Sequence, residues 1–132
     1  MRTLIPFSLC CVACLLIVQT TFGQRRRPQA AWGVPEIYSN LSLELETGDV
    51  GGMEVVLLKS YGGDWATVII ASGIADDPVL VPVKLDYPNI EFTLPATPPY
   101  EQYGKFTGKI TRQGMMLWNR GERVGVLRRQ CR

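Results

Sequence analysis

The chain has 132 residues, a formal net charge of +2, four cysteines and no histidine. Without histidine it lacks the usual base near neutral pH and the commonest metal ligand, which excludes His-dependent triads and imidazole metal centres. The length suits one compact domain, and the small net charge hides an uneven distribution along the chain.

Arg2 is followed by an apolar run from Leu4 to Val18 and then by Thr21-Phe22-Gly23, with small residues at the first and third places. This is the pattern of a cleaved secretory signal. The run is too short for a membrane-spanning helix, which needs about 20 apolar residues. Cleavage is placed after Gly23, so residues 1–23 form the signal peptide and the mature chain is secreted or periplasmic, with no transmembrane segment. A lipoprotein cut before Cys14 competes with this reading, but Cys11-Val12-Ala13-Cys14 lacks the expected leucine. Cys10, Cys11 and Cys14 leave with the signal. Cys131 then has no partner within the chain, which excludes a disulfide framework and predicts a monomer, or a dimer joined through Cys131. Residues 24–35, QRRRPQAAWGVP, have no periodicity and read as a flexible basic arm. Residues 36–132 are left as a single domain.

Past Pro35 the pattern has period two. Leu41, Leu43 and Leu45 alternate with Ser42, Glu44 and Glu46, which predicts a first strand. Met53 to Ser60 and Trp65 to Ser72 follow as apolar or β-branched runs, and Val79, Val81, Val83 and Leu85 alternate with Pro82, Lys84 and Asp86. Four more strands are predicted at Ile90 to Leu94, Lys105 to Thr111, Met115 to Asn119 and Arg123 to Arg128, with Phe92, Phe106, Ile110, Val124 and Val126 facing inward. Between them stand GDVGG, YGGD, SGIADDP, DYPN, RQG and NRG, whose glycines supply the positive φ of tight turns. Only PATPPYEQYG, residues 95–104, is a long connection.

Connections this short cannot carry the crossovers that parallel strands require, so the strands form an antiparallel meander. Eight such strands with one apolar face must close or stack. The predicted fold is therefore all-β, a small lipocalin-like up-and-down barrel, with a two-sheet sandwich as the alternative. Closure would set Glu44 and Glu46 of the first strand beside Arg123 of the eighth.

The chain offers little for catalysis. Ser39, Ser42, Ser60 and Ser72 sit in no nucleophile motif. Glu44 and Glu46 share a face at a two-residue spacing and would be the pair for a carboxylate-dependent hydrolase, but that face is predicted to be solvent. Asp49, Asp76 and Asp77 match no calcium loop. The reading is a non-enzymatic protein with no cofactor and no metal. For binding, the barrel interior would offer Trp65, Phe92, Phe106 and Trp118 to a small apolar ligand. Gly108, between Phe106 and Ile110, would either leave interior room or mark a bend. Residues 100–132 hold eight basic groups against Glu101 and Glu122, whereas residues 36–99 hold ten acidic groups against Lys59 and Lys84. Lys105, Lys109, Arg112, Arg120 and Arg123 would form an outer face for an anionic envelope component, a protein or a glycan. Secretion argues against nucleic acid. Asn40-Leu41-Ser42 is a glycosylation sequon, meaningful in a eukaryotic source.

NIEFTLP, then YGKFTGKI and a terminal GVLRR, resemble small secreted bacterial β-proteins of no known activity, in which an F-T-L/I-P strand, a G-x-F-x-G-x-I strand and a basic closing strand follow one another. The resemblance covers about the last 40 residues and, loosely, the GDVGGMEVVL hairpin. It implies a bacterial exported domain and no particular reaction.

Overall fold

Alternating side chains and glycine turns produce strands throughout the computed structural model, which describes residues 33–130. These strands are β1 (Glu36–Ser39), β2 (Ser42–Leu43), β3 (Val50–Ser60), β4 (Gly63–Ala75), β5 (Val79–Asp86), β6 (Asn89–Thr93), β7 (Lys105–Ile110), β8 (Met115–Asn119) and β9 (Glu122–Gln130). Consecutive strands from β3 to β9 pair antiparallel, and β1 pairs with both β9 and β3. The sheet thus closes as an eight-stranded up-and-down barrel, with β2 an additional short strand on β3. The signal peptide, residues 24–32 of the basic arm and Cys131 lie outside the described residues.

One parity of each strand fills the interior. Tyr38, Val55, Leu57, Val68, Phe106, Met115, Leu117 and Leu127 are all but inaccessible. Phe92 and Phe106 are register partners on β6 and β7, and their rings stack 5.2 Å apart. Such a pair adds about 1 kcal/mol to the area it buries.

Two predicted details are corrected. The first wall strand is β1, not the alternating segment from Leu41. Residues 44–49 turn back on themselves, with Glu44 N–H donating to the Asp49 carbonyl and Gly48 N–H to the Glu44 carbonyl. Leu43 and Leu45 consequently project outward, Leu45 at 88% exposure, and Tyr38 takes the interior place. On β9 the register shifts against β8: Leu117 faces Gly125 while Trp118 faces Arg123, which leaves Val124 as the extra residue of a bulge. Past the bulge the parity changes. Leu127 points inward, Val126 faces Met116 on the outer wall, and Val124 is exposed.

The seam differs accordingly. It joins β1 to the end of β9, with Tyr38 opposite Arg129, and Glu44 and Glu46 take no part in it. Glu36 instead gathers the charges at that end. Lys59 Nζ lies 2.6 Å from its Oε1, the Tyr38 hydroxyl donates to Oε2 at 2.6 Å, and Arg129 Nη2 is 3.6 Å away. Glu36 and Lys59 share the inward parity of Leu57, so this cluster closes one end of the barrel with polar groups. Burial alone would raise the Glu36 carboxyl. Hydrogen bonds from Lys59 and Tyr38, with the charges of Lys59 and Arg129, outweigh that and hold it below the usual carboxylate range. Burial, then the hydrogen bond and charge of Glu36, pushes the Tyr38 hydroxyl far up.

Candidate functional site

The opposite end of the barrel is formed by the β4–β5 connection, the long loop 94–104 and the β8–β9 hairpin. Arg120 and Gly121, the two central residues of that hairpin, have φ of 49° and 84°, as a type I′ turn requires. The long loop folds over the barrel end rather than into solvent. Leu94 N–H donates to the Gly104 carbonyl, Tyr103 N–H to the Tyr100 carbonyl, and the buried Tyr100 hydroxyl to the carbonyl of Asp77 across the mouth. Burial, followed by the nearby charges of Asp76 and Asp77, raises the Tyr100 hydroxyl above its ordinary range. Asn119 Nδ2 donates to the carbonyls of Tyr103 and Lys105, at 2.6 and 3.0 Å, and ties the hairpin to the loop.

A cleft of about 290 Å³ remains at this mouth. Met53, Ile70, Ala71 and Phe106 line it from below, together with Tyr103; Asn40, Asn119, Glu122 and Arg123 contribute polar groups. Asn40 is committed to the fold, because its Oδ1 accepts the Met53 N–H at 2.7 Å. Gly52 belongs beside it, since a Cβ there would stand 2.6 Å from the Asn40 carbonyl oxygen.

A second concavity, of about 360 Å³, lies on the outer wall across β5, β6, β7 and β8. Two cross-strand rows build it. Lys84 pairs with Glu91, Glu91 with Thr107 and Thr107 with Trp118; in the next row Asp86 pairs with Asn89, Asn89 with Lys109 and Lys109 with Met116. Gly108 and Ile90 also line it.

The predicted interior residues separate in this geometry. Phe92 and Phe106 are inside, at 2% and 1% exposure, and of the two only Phe106 reaches the mouth cleft. Trp65 and Trp118 are not interior residues. Trp65 is 40% exposed on the outer wall, between Leu58 and Pro82, because the parity of Ala66 and Val68 takes the inside of β4. Trp118 is likewise outward, because its neighbour Leu117 is the buried one. Gly108 leaves no interior room: a Cβ on it would meet Leu117 Cδ2 and Met116 O at 2.6 Å and Ile90 Cγ2 at 3.0 Å. The glycine permits close packing of three strands.

The five basic residues divide between the outer wall and the turns. Lys105 is paired to Glu91 at 2.9 Å, Lys109 lies in the outer concavity, and Arg123, opposite the outward Trp118, also reaches the rim of the mouth cleft. Arg112 and Arg120 occupy the turns at the two ends of β8, some 17 Å apart for five residues of extended chain. Sequence reasoning missed the Glu36, Lys59 and Arg129 cluster and the part of Lys84, Asp86 and Asn89 in the outer concavity. Their period-two spacing signals a shared face, but nothing in the sequence says which strands lie adjacent. Glu44 and Glu46 stand exposed on the 44–49 turn.

No protein-family model, curated protein or solved structure matches this chain.

Proposed function

We propose that the chain is an exported, non-enzymatic binding protein whose barrel mouth takes a small amphiphile, an apolar body capped by an anionic head. The observation that carries this reading is the mouth cleft, where Met53, Ile70 and Phe106 meet Arg123. Arg123 has no ion-pair partner among the described residues, so its charge is open to a ligand. Arg123 stands at the rim beside Glu122, next to the bulge at Val124. A volume of about 290 Å³ stands at the small end of ligand sites. With Tyr38, Leu57 and Val55 filling the barrel below, the ligand would rest in the mouth rather than deep inside. Absence of histidine favours binding over catalysis, and export rests on the Leu4 to Val18 run.

Titration of the full chain with octanoate, followed through the Met53 and Ile70 methyl resonances, tests this. Both signals should move and saturate together, and Arg123→Glu should weaken binding about tenfold, the equivalent of about 1.4 kcal/mol. Unmoved methyl signals would overturn the mouth reading; an Arg123→Glu variant binding as tightly as the parent would overturn the role of the head group.

A further inference from the structure

We propose that the concavity on the outer wall of β5 to β8 is a second binding site, for a neutral saccharide, with Trp118 as the platform for a pyranose ring. The site lies outside the barrel, on different residues from the mouth, and does not depend on the mouth binding anything.

Four observations lead there. First, Trp118 is half-buried and lines the concavity. The C–H groups of a pyranose carry partial positive charge and suit the negative face of an indole. Second, the groups around it are those that hydrogen-bond hydroxyls in both directions. Lys84 and Lys109 donate, Asp86 accepts, and Asn89 and Thr107 do both. Third, among the described residues none of these five side chains, nor the Trp118 indole N–H, has a hydrogen-bond or ion-pair partner. At the mouth, by contrast, Asn40 and Asn119 are already engaged by backbone groups. Fourth, the lining carries both signs. Lys84 and Lys109 stand among Asp86 and Glu91, and Glu91 is already engaged by Lys105 at 2.9 Å. The two acids would oppose part of a polyanion, whereas a ligand with many hydroxyls and no charge can use donors and acceptors alike.

The backbone supplies the shape. Register places the polar side chains in two rows on adjacent strands about 4.8 Å apart, a lattice on the scale of a sugar ring and its substituents. Gly108 lies at the concavity, where Ile90 and Leu117 close up beneath it in the space a Cβ would need. Trp65, the other outward tryptophan of the wall, has Leu58 and Pro82 as its cross-strand neighbours. Trp65 does not line the concavity and provides an internal control.

The test is titration of the full chain with cellotetraose, chitotetraose and maltotetraose, followed through the indole N–H resonances. A tetrauronate and an eight-residue oligothymidylate serve as anionic probes. At least one neutral sugar should move the Trp118 signal and the Asn89 side-chain amide together, leave Trp65 still, and bind equally well in low and high salt. Trp118→Ala should weaken binding about tenfold or more, Trp118→Phe should retain most of it, and Asn89→Ala should reduce it severalfold. Trp118→Phe also keeps the result interpretable if the alanine variant folds poorly. A Trp118 signal indifferent to all three neutral sugars would overturn the proposal. So would one moved only by the uronate or the oligonucleotide, or binding that disappears with salt.

Discussion

Gly108→Ala is a single added methyl group with a large expected cost. Gly108 sits mid-strand on β7, and its backbone φ is not in the left-handed region, so the penalty is one of space alone. The new Cβ would stand 2.6 Å from Leu117 Cδ2, 2.6 Å from Met116 O and 3.0 Å from Ile90 Cγ2. A leucine methyl can rotate away. The Met116 oxygen cannot, because it belongs to the β7–β8 ladder in which Lys109 is paired with Met116. Overpacking of this kind costs about 1–3 kcal/mol, and a contact against backbone places Gly108→Ala near the upper figure. For a domain of this size that corresponds to a fall in melting temperature of roughly 12–24 °C. Gly51→Ala, also in a strand and with nothing within 4 Å of its new Cβ, should instead be neutral or stabilising by up to about 1 kcal/mol. Thermal and urea melts followed by far-ultraviolet circular dichroism would read both. A Gly108→Ala protein melting within a few degrees of the parent would refute the close packing of β6, β7 and β8. Leu117→Ala removes one of the three contacts but also a fully buried side chain, so the double variant should stay well below the parent while losing less than the sum of the two separate losses.

Acid should loosen the seam through Glu36. Its carboxyl is held below the usual 4.5 in the fold, so its stabilisation is complete above that pH and is lost as pH falls through the lower folded value. Glu36→Gln should cost about 2 kcal/mol at neutral pH, between the values for exposed and buried pairs, and should flatten the acid limb of a melting-temperature profile; parallel acid limbs would count against the cluster. Phe106→Ala, which deletes a buried ring from the stacked pair, should cost about 3–5 kcal/mol in urea unfolding. Trp65→Ala, on the outer wall, should cost less than about 1 kcal/mol, and equal losses would put Trp65 back inside the barrel. Tyr100→Phe removes the bond to Asp77 and should speed hydrogen exchange at Leu94 and Tyr103 while lowering global stability by only about 1 kcal/mol. Unchanged exchange would show that the loop is held by other contacts.

Alternation and turn chemistry were enough to read an all-β chain, an antiparallel meander and the positions of β3 to β8, because short glycine-bearing connections allow no other pairing. They also placed Phe92 and Phe106 correctly, each flanked on both sides by polar residues. At Trp118 the same signal was ambiguous. Met115-Met116-Leu117-Trp118 is apolar at both parities, and period two says which residues share a face without saying which face is inside. Packing decides that: Leu117 fills the space over Gly108 and faces Gly125, and Trp118 is left to the outer wall. The bulge at Val124 likewise reverses the facing of β9 without any marked break in its pattern. Leu41, Leu43 and Leu45 alternate as well as any wall strand, but the 44–49 turn removes them from the barrel, and Tyr38 carries the closure in four residues too short to show a period. The amino-acid order by itself determined local conformation and the sequence of pairings. Only closure of the sheet decided which residues became neighbours around it, because the seam, the bulge and the two rows across β5 to β8 depend on contacts between strands distant in the chain.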